Sequence, residues 1–208
     1  KYTRVFYIIV ASVTLIACSS SNDNDNFALQ PEYLPIANPT VSLPPDVGTI
    51  SLLAQSFDLD DVGYQQTEFF IEGTASAFTN VGELGSDGFW VLEPAEQAAY
   101  KTRIVVYSPI DPADFSGIVH MEWLNVTAGF ETPPSWGTGQ LEMRRGGSVW
   151  VGVSAQLIGI EGSDRGLLPL HLKAVDAARY DSLFHPGDSF SYDMFSQVAN
   201  AIRNPGAI

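Results

Sequence analysis

The sequence predicts an α/β fold: a mixed, mostly parallel sheet with flanking helices. Three observations carry this. Two near-continuous apolar runs, Gly117–Leu124 and Ser148–Ser154, read as strands buried on both faces. Helix punctuation fills the stretch between them. A third segment, Tyr192–Arg203, places Phe195, Val198 and Ile202 on one helical face.

The central helix has a start and a stop. Thr132 is placed to cap it, and Pro133 suits a first position, where a missing N–H costs nothing. Arg144 and Arg145 fall in the last turn, and Gly146–Gly147 suits a left-handed end. A strand–helix–strand unit makes its two strands parallel.

Taken in order, the chain opens with Lys1 and Arg4 followed by an apolar core, Val5–Ala17. That core is shorter than the ~20 residues of a membrane span and fits a signal peptide. Leu15-Ile16-Ala17-Cys18 has the pattern of a bacterial lipoprotein signal, with Cys18 as the lipidated residue of a segment spanning 1–18. Ser19 after the cysteine favours, by analogy with lipoprotein sorting, the outer membrane of the bacterial envelope. Residues 19–48 read as a polar, then Pro-rich tether. The remaining 49–208 form the domain. With one cysteine, no internal disulfide can form.

Within the domain, Ile50–Ser56 fits a short helix or a strand equally well. Thr67–Ile71 reads as a first strand, Asn80–Gly88 as turn-rich, and Phe89–Leu92 as a hairpin partner. Lys101–Ser108 is β-branched and reads as a strand. Asp111-Pro112 and Ser116-Gly117 are turns leading into the central strand. Beyond Gln156 come a Gly-rich loop, Gly159–Gly166, a weakly periodic stretch, Leu167–Ala178, and a loop around His185-Pro186-Gly187. In the last helix Asp193 falls in the first turn and Arg203 in the last. Ser189 or Ser191 is placed to cap it, and Asn204-Pro205-Gly206 stops it.

The formal charge of −14 excludes a nucleic-acid surface, which needs a clustered basic face. Three histidines and one cysteine give no metal-site spacing, and His120-x-Glu122 lacks the Pro-Cys-x-x-Cys partner of a zinc deaminase. Gly137-x-Gly139 has no third glycine and no preceding strand, so it is not a dinucleotide loop. Trp123, Trp136 and Trp150 suit a core better than a substrate platform.

Met121-Glu122-Trp123-Leu124-Asn125-Val126-Thr127 and Trp150-Val151-Gly152-Val153-Ser154-Ala155-Gln156 resemble a group of bacterial α/β-hydrolase domain proteins. The likeness continues through Arg179-Tyr180, Ser182-Leu183, His185-Pro186-Gly187-Asp188-Ser189 and Tyr192-Asp193, and covers Gln55 onwards. It implies the N-terminal part of an α/β-hydrolase fold and, at full length, a serine hydrolase acting on a small ester or related acyl substrate, with no cofactor. In such a fold the nucleophile sits on a tight turn after the strand that follows the last helix, with acid and histidine later. The resemblance therefore puts the triad beyond Ile208 and makes this chain an inactive portion. It puts an oxyanion-hole donor in the loop after Leu124–Asn125, with Val126 and then Thr127 as candidates. The alternative is a non-catalytic surface lipoprotein that binds a ligand or partner with the same scaffold.

Three other residues draw attention. Gly152-Val153-Ser154-Ala155-Gln156 half-matches a nucleophile elbow, but Gln156 replaces the second glycine, so Ser154 reads as strand interior. Glu122 is a carboxylate in an apolar strand and needs a partner; it either orients the oxyanion loop or joins a network at the strand end. The loop of His185 either lines a pocket or is a turn capping the next helix.

Overall fold

A computed structural model of the chain describes residues 35–163 and 169–204. Cys18, the signal segment, the first part of the tether and the Pro205-Gly206 stop lie outside the described residues. Among the described residues, five strands form one sheet: β1 (Thr40–Ser42), β2 (Tyr64–Asn80), β3 (Leu92–Pro109), β4 (Val119–Trp123) and β5 (Val149–Val153). Their spatial order is β1-β2-β3-β5-β4. Helix α1 (Pro134–Arg145) links β4 to β5. After β5 the described residues form the short helices α2 (Leu157–Glu161), α3 (Leu172–Val175) and α4 (Ala177–Tyr180), and then α5 (Ser191–Arg203).

The β4-α1-β5 unit is the expected crossover, and β4 pairs β5 in parallel from Val119↔Val149 to Trp123↔Val153. The expectation of a mostly parallel sheet is corrected. Among the described residues the β1–β2, β2–β3 and β3–β5 pairings are all antiparallel. A hairpin forces antiparallel neighbours, and only the helical crossover returns the chain in the same direction. That hairpin is long, running from Tyr64↔Pro109 to Asn80↔Leu92 with an irregularity between Ser76 and Phe78. The Pro-rich segment supplies the edge strand β1 at Thr40–Ser42. Residues 50–56 form neither helix nor strand; Ile50, Leu52 and Ala54 pack against the sheet as an extended strap.

Alternation along the strands sorts the core into two faces. Behind the sheet, Ile71, Ile104, Val151 and Val153 meet Met194 and Val198 of α5. In front, Tyr64, Val105, Tyr107 and Trp150 meet Trp136 of α1. The rings of Tyr107, Trp136 and Trp150 lie 4.7–5.6 Å apart, in tilted and edge-on contacts. Gly152 is required here: a Cβ would drive into the Trp150 indole and Leu124.

Helix ends differ in detail from the expected caps. The residue before α1 is Pro133, not Thr132, and it offers no side-chain cap. The left-handed residue at the other end is Gly147 alone, at φ +62°, because Gly146 has φ −82°. Phe190 precedes α5, and neither Ser189 nor Ser191 caps it. Asp193 in its first turn instead accepts from Ser76 N–H at 2.7 Å, which ties the helix to β2.

Candidate functional site

The site builds up where β4 and β5 end. Leu124 leaves β4 still bonded to Val153, and Asn125 and Thr132 then exchange two backbone hydrogen bonds of 2.9 Å. This bridge pinches residues 126–131 into a closed loop. Inside it, Gly129 N–H donates to Val126 O, and Thr127 N–H donates to Asn125 Oδ1 at 3.0 Å. Thr127 N–H is therefore occupied. Val126 is nearly buried, and its N–H meets no acceptor among the described residues.

Glu122 holds the helix that follows. It is 5% exposed, and its carboxylate accepts from Ser135 N–H (2.6 Å), Trp136 N–H (3.0 Å) and Trp150 Nε1–H (2.9 Å). The cap missing from the chain just before α1 is thus supplied from the neighbouring strand. A negative charge sits against the open N–H groups and positive dipole end of α1. Because β4, the loop and α1 are consecutive, this contact fixes both ends of the loop.

A buried charge cluster lies under the loop. Arg103 of β3 is fully buried, and its five N–H donors find five acceptors: Ser154 Oγ, Glu68 Oε1, Tyr180 Oη, Ser51 O and Glu131 Oε2. Glu68 also pairs with Arg179, and Arg179 reaches the carbonyls of Pro45 and Val47. Tyr180 donates to Glu68 and accepts from Ser51 N–H. Two arginines and two glutamates therefore balance in the interior. The neighbouring carboxylates hold the Arg103 guanidinium above its ordinary value despite a large opposing effect of burial. Glu131 belongs to the loop, so this cluster ties the loop to β2, β3, α4 and the strap.

Ser154 sits in this network with its hydroxyl accepting from Arg103 Nε. It is fully buried one residue past β5, rather than inside the strand as expected. His185 lies on the other side of the same segment. Its Nε2 bonds Ala155 O at 3.0 Å, and its Nδ1 accepts from Gly187 N–H at 3.1 Å. Those partners select the neutral ring with the proton on Nε2. Burial pushes the His185 pKa down. Asp188 accepts from Leu157 N–H at the start of α2. The His185-Pro186-Gly187-Asp188 loop therefore braces the turn after β5 rather than capping the helix that follows it.

The arrangement is a main-chain N–H without an acceptor among the described residues, just past a strand end, in a loop held by buried ion pairs. The model of the family described as alpha/beta hydrolase domain matches residues 36–208. The chain belongs to that family. No curated protein and no solved structure matches it. The match to the alpha/beta hydrolase domain takes in β1 and the strap as well as the crossover unit.

Beside the loop of this alpha/beta hydrolase domain lies a cleft of about 230 Å³, lined by Ser51, Leu52, Leu53, Phe130, Glu131, Gly159 and residues of α3. Glu131 is 6% exposed; its Oε2 holds Arg103, while its Oε1 is buried without a hydrogen-bond partner. Among the described residues no group of three or more His, Cys, Asp or Glu is arranged to hold a metal ion.

Sequence reasoning placed Val126, Thr127 and Glu122 in this region and passed over Arg103, Glu68 and Glu131; Arg179-Tyr180 entered only as part of the family resemblance, with no role given. A signal was present for the first two. Arg103 stands inside the β-branched run Lys101–Ser108, and Glu68 inside Thr67–Ile71. A charge at an inward position of a strand demands a partner, and the hairpin supplies one.

Proposed function

We propose that this chain is the oxyanion-side portion of a serine hydrolase that cleaves a small ester or related acyl bond. The serine, its acid and its histidine come from sequence following Ile208. The serine Oγ adds to the acyl carbon while its proton passes to the histidine, and the carbonyl oxygen becomes an oxyanion received by Val126 N–H. The tetrahedral adduct expels the alcohol, which takes that proton, and water then releases the acid.

The single observation behind this reading is the N–H of Val126, which meets no acceptor among the described residues, in a loop pinned at both ends. Topology supports it as well. Strand β4 is at the sheet edge, and α1 and α5 lie on opposite faces. A right-handed crossover from β5 through α5 places the next parallel strand on the open side of β4. Ligands of open α/β sheets sit where the strand order reverses in this way.

Two measurements test it. A fluorophosphonate should label one serine beyond Ile208 in the protein purified from its native source; failure to label would leave the reading of a ligand-binding domain without turnover. Replacing the Val126 amide by an ester, with α-hydroxyisovalerate at that position, removes the N–H and keeps the shape. The kcat should fall by about 10²–10³ with KM little changed; an unchanged kcat would take Val126 out of this role.

The N-terminal pattern supports lipidation at Cys18, which holds the domain at the bacterial envelope, in the outer membrane. Radiolabelled palmitate should enter the native protein and not the Cys18→Ala variant.

A further inference from the structure

We infer that the tip of the β2–β3 hairpin is a membrane-docking element, in which Val81, Leu84, Phe89, Trp90 and Val91 seat in the interfacial layer of a zwitterionic lipid bilayer. It rests on the proposed lipidation of Cys18 for the surface within reach, and not on any hydrolase activity.

The hairpin outruns the body of the domain. Ala77 and Tyr100 are buried, but residues 78–97 are exposed without a break. At about 3.3 Å per residue, the strand from Tyr100 to Leu92 carries the tip roughly 26 Å beyond the packed core. A bare two-stranded ribbon is marginal in water, yet this one ends in large apolar groups. Phe89 is 88% exposed, Val91 67% and Trp90 54%. The tip is held by its own hydrogen bonds. Val81 N–H donates to Val91 O (2.8 Å), Phe89 N–H to Asp87 Oδ1 (3.0 Å) and Trp90 Nε1–H to Gly85 O (2.8 Å). These donors ask nothing of a partner, which suits an apolar medium, where an unsatisfied polar group is costly. Aromatic side chains with an apolar body favour the interface between headgroups and acyl chains.

Topology points to the bilayer. Strand β3 pairs β5 at Ile104↔Val153, so its run back to Leu92 continues past the end where β4 and β5 finish. Strand β1 is antiparallel to β2 at Thr40↔Glu72, so residues 36–39 approach from that same end. Asn200 of α5 fixes them there, donating to Ile36 O and Asn38 Oδ1. The tether therefore joins the domain at the end from which the hairpin projects. Sixteen residues separate Cys18 from Pro35. As the polar tether read from the sequence, they reach about 20–25 Å, which matches the length of the arm. A lipid on Cys18 thus keeps the tip within reach of the membrane.

Charge and strand order set aside the other occupants. Between Thr74 and Tyr100 stand Glu83, Asp87, Glu93 and Glu96 and no Lys, Arg or His, so a second copy of this acidic arm is repelled. Further strands would add beside β4, which β5 separates from the hairpin. The same four acids choose the lipid: anionic headgroups repel them, whereas phosphatidylethanolamine does not.

The test uses the full-length protein, made in its native host with its own anchor and reconstituted into phosphatidylethanolamine–phosphatidylcholine vesicles. Trp90 is the reporter, because Trp136 and Trp150 are buried. Lipids brominated near the headgroup should quench its emission, and Trp90→Phe should remove that quenching. Phe89→Ser with Val91→Ser, both at exposed positions, should shift the arm about tenfold or more from docked to free. Replacing part of the phosphatidylethanolamine by phosphatidylglycerol should weaken the quenching, and added salt should restore it. Vesicle-bound protein with Trp90 unquenched would overturn the inference, since the tip then faces water or another protein surface. Quenching that persists in Trp90→Phe, survives the double serine variant or strengthens with phosphatidylglycerol would overturn it too. Failure of lipidation shows separately, as protein without a palmitate label. Vesicles in excess then test the tip directly, and an unquenched Trp90 counts against it there as well.

Discussion

Behind the sheet, α5 covers Ile71, Ile104, Val151 and Val153 with Met194 and Val198, and the contact is hydrocarbon on hydrocarbon. In front, between β2, β3 and α4, the equivalent depth holds Arg103, Glu68, Glu131, Arg179 and Tyr180. The difference concerns tolerance. A hydrocarbon contact loses energy in proportion to the volume removed and can partly relax. A buried ion cluster loses little if wholly replaced by apolar groups, but a great deal if broken halfway. The front face therefore gives up local tolerance, and it is the face that holds the loop and the cleft.

The largest effect should come from breaking that cluster at its centre. Arg103→Met leaves the Glu131 carboxylate without its cation and Glu68 with Arg179 alone in the interior, and should cost about 4 kcal/mol or prevent folding. Arg103→Lys should recover only part of this, because three donors cannot serve five acceptors. Urea unfolding read by tryptophan fluorescence checks both; a loss below about 1 kcal/mol for the methionine variant would mean that the cluster is not desolvated. On the rear face, Met194→Ala should cost less, about 3 kcal/mol, as transfer plus cavity.

The same contrast explains what could be read in advance. Helix α5 was legible because Phe195, Val198 and Ile202 recur at helical spacing over an apolar face. The crossover was legible because both its strands are apolar and its helix carries proline at the start and glycine at the end. The turn of the long hairpin was legible at Asn80–Gly88 with a partner at Phe89–Leu92, and Asn80 does pair Leu92; its length was not, because Leu92 to Gln97 is exposed and so carries no inward pattern. The mostly parallel sheet was an extrapolation from the one unit that happens to be parallel. In the site, the loop's position after β4 was visible, whereas its bracing was not. Thr132 looked like the cap, yet its hydroxyl bonds Asn125 O, and the carboxylate that caps α1 comes from Glu122, 13 residues from Ser135. No local pattern encodes a partner brought in by strand pairing. The Glu131–Arg103 pair spans 28 positions for the same reason.

The smallest effect lies at the edge of the front region and depends on pH. His185 is held neutral: Nε2–H donates to Ala155 O, and Nδ1 accepts from Gly187 N–H. Protonation would set a second N–H against Gly187. Burial lowers its folded-state pKa below the ordinary 6.5, against a weaker pull upward from Asp188, Glu161 and Glu131. The unfolded chain then binds the proton more readily than the folded one, so stability rises with pH through this interval. The contribution of His185 is complete above 6.5 and is lost progressively as pH falls from there toward the folded value. His185→Gln, which can still donate to Ala155 O but does not titrate, should be less stable than wild type at pH 7.5, with the gap narrowing as pH falls below 6.5. Carboxylates that titrate in the same range act on both proteins and cancel in the difference. Paired urea melts across that range measure it, and a gap that widened on acidification would mean that His185 is charged in the folded protein and that the loop after β5 is held by an ion pair instead.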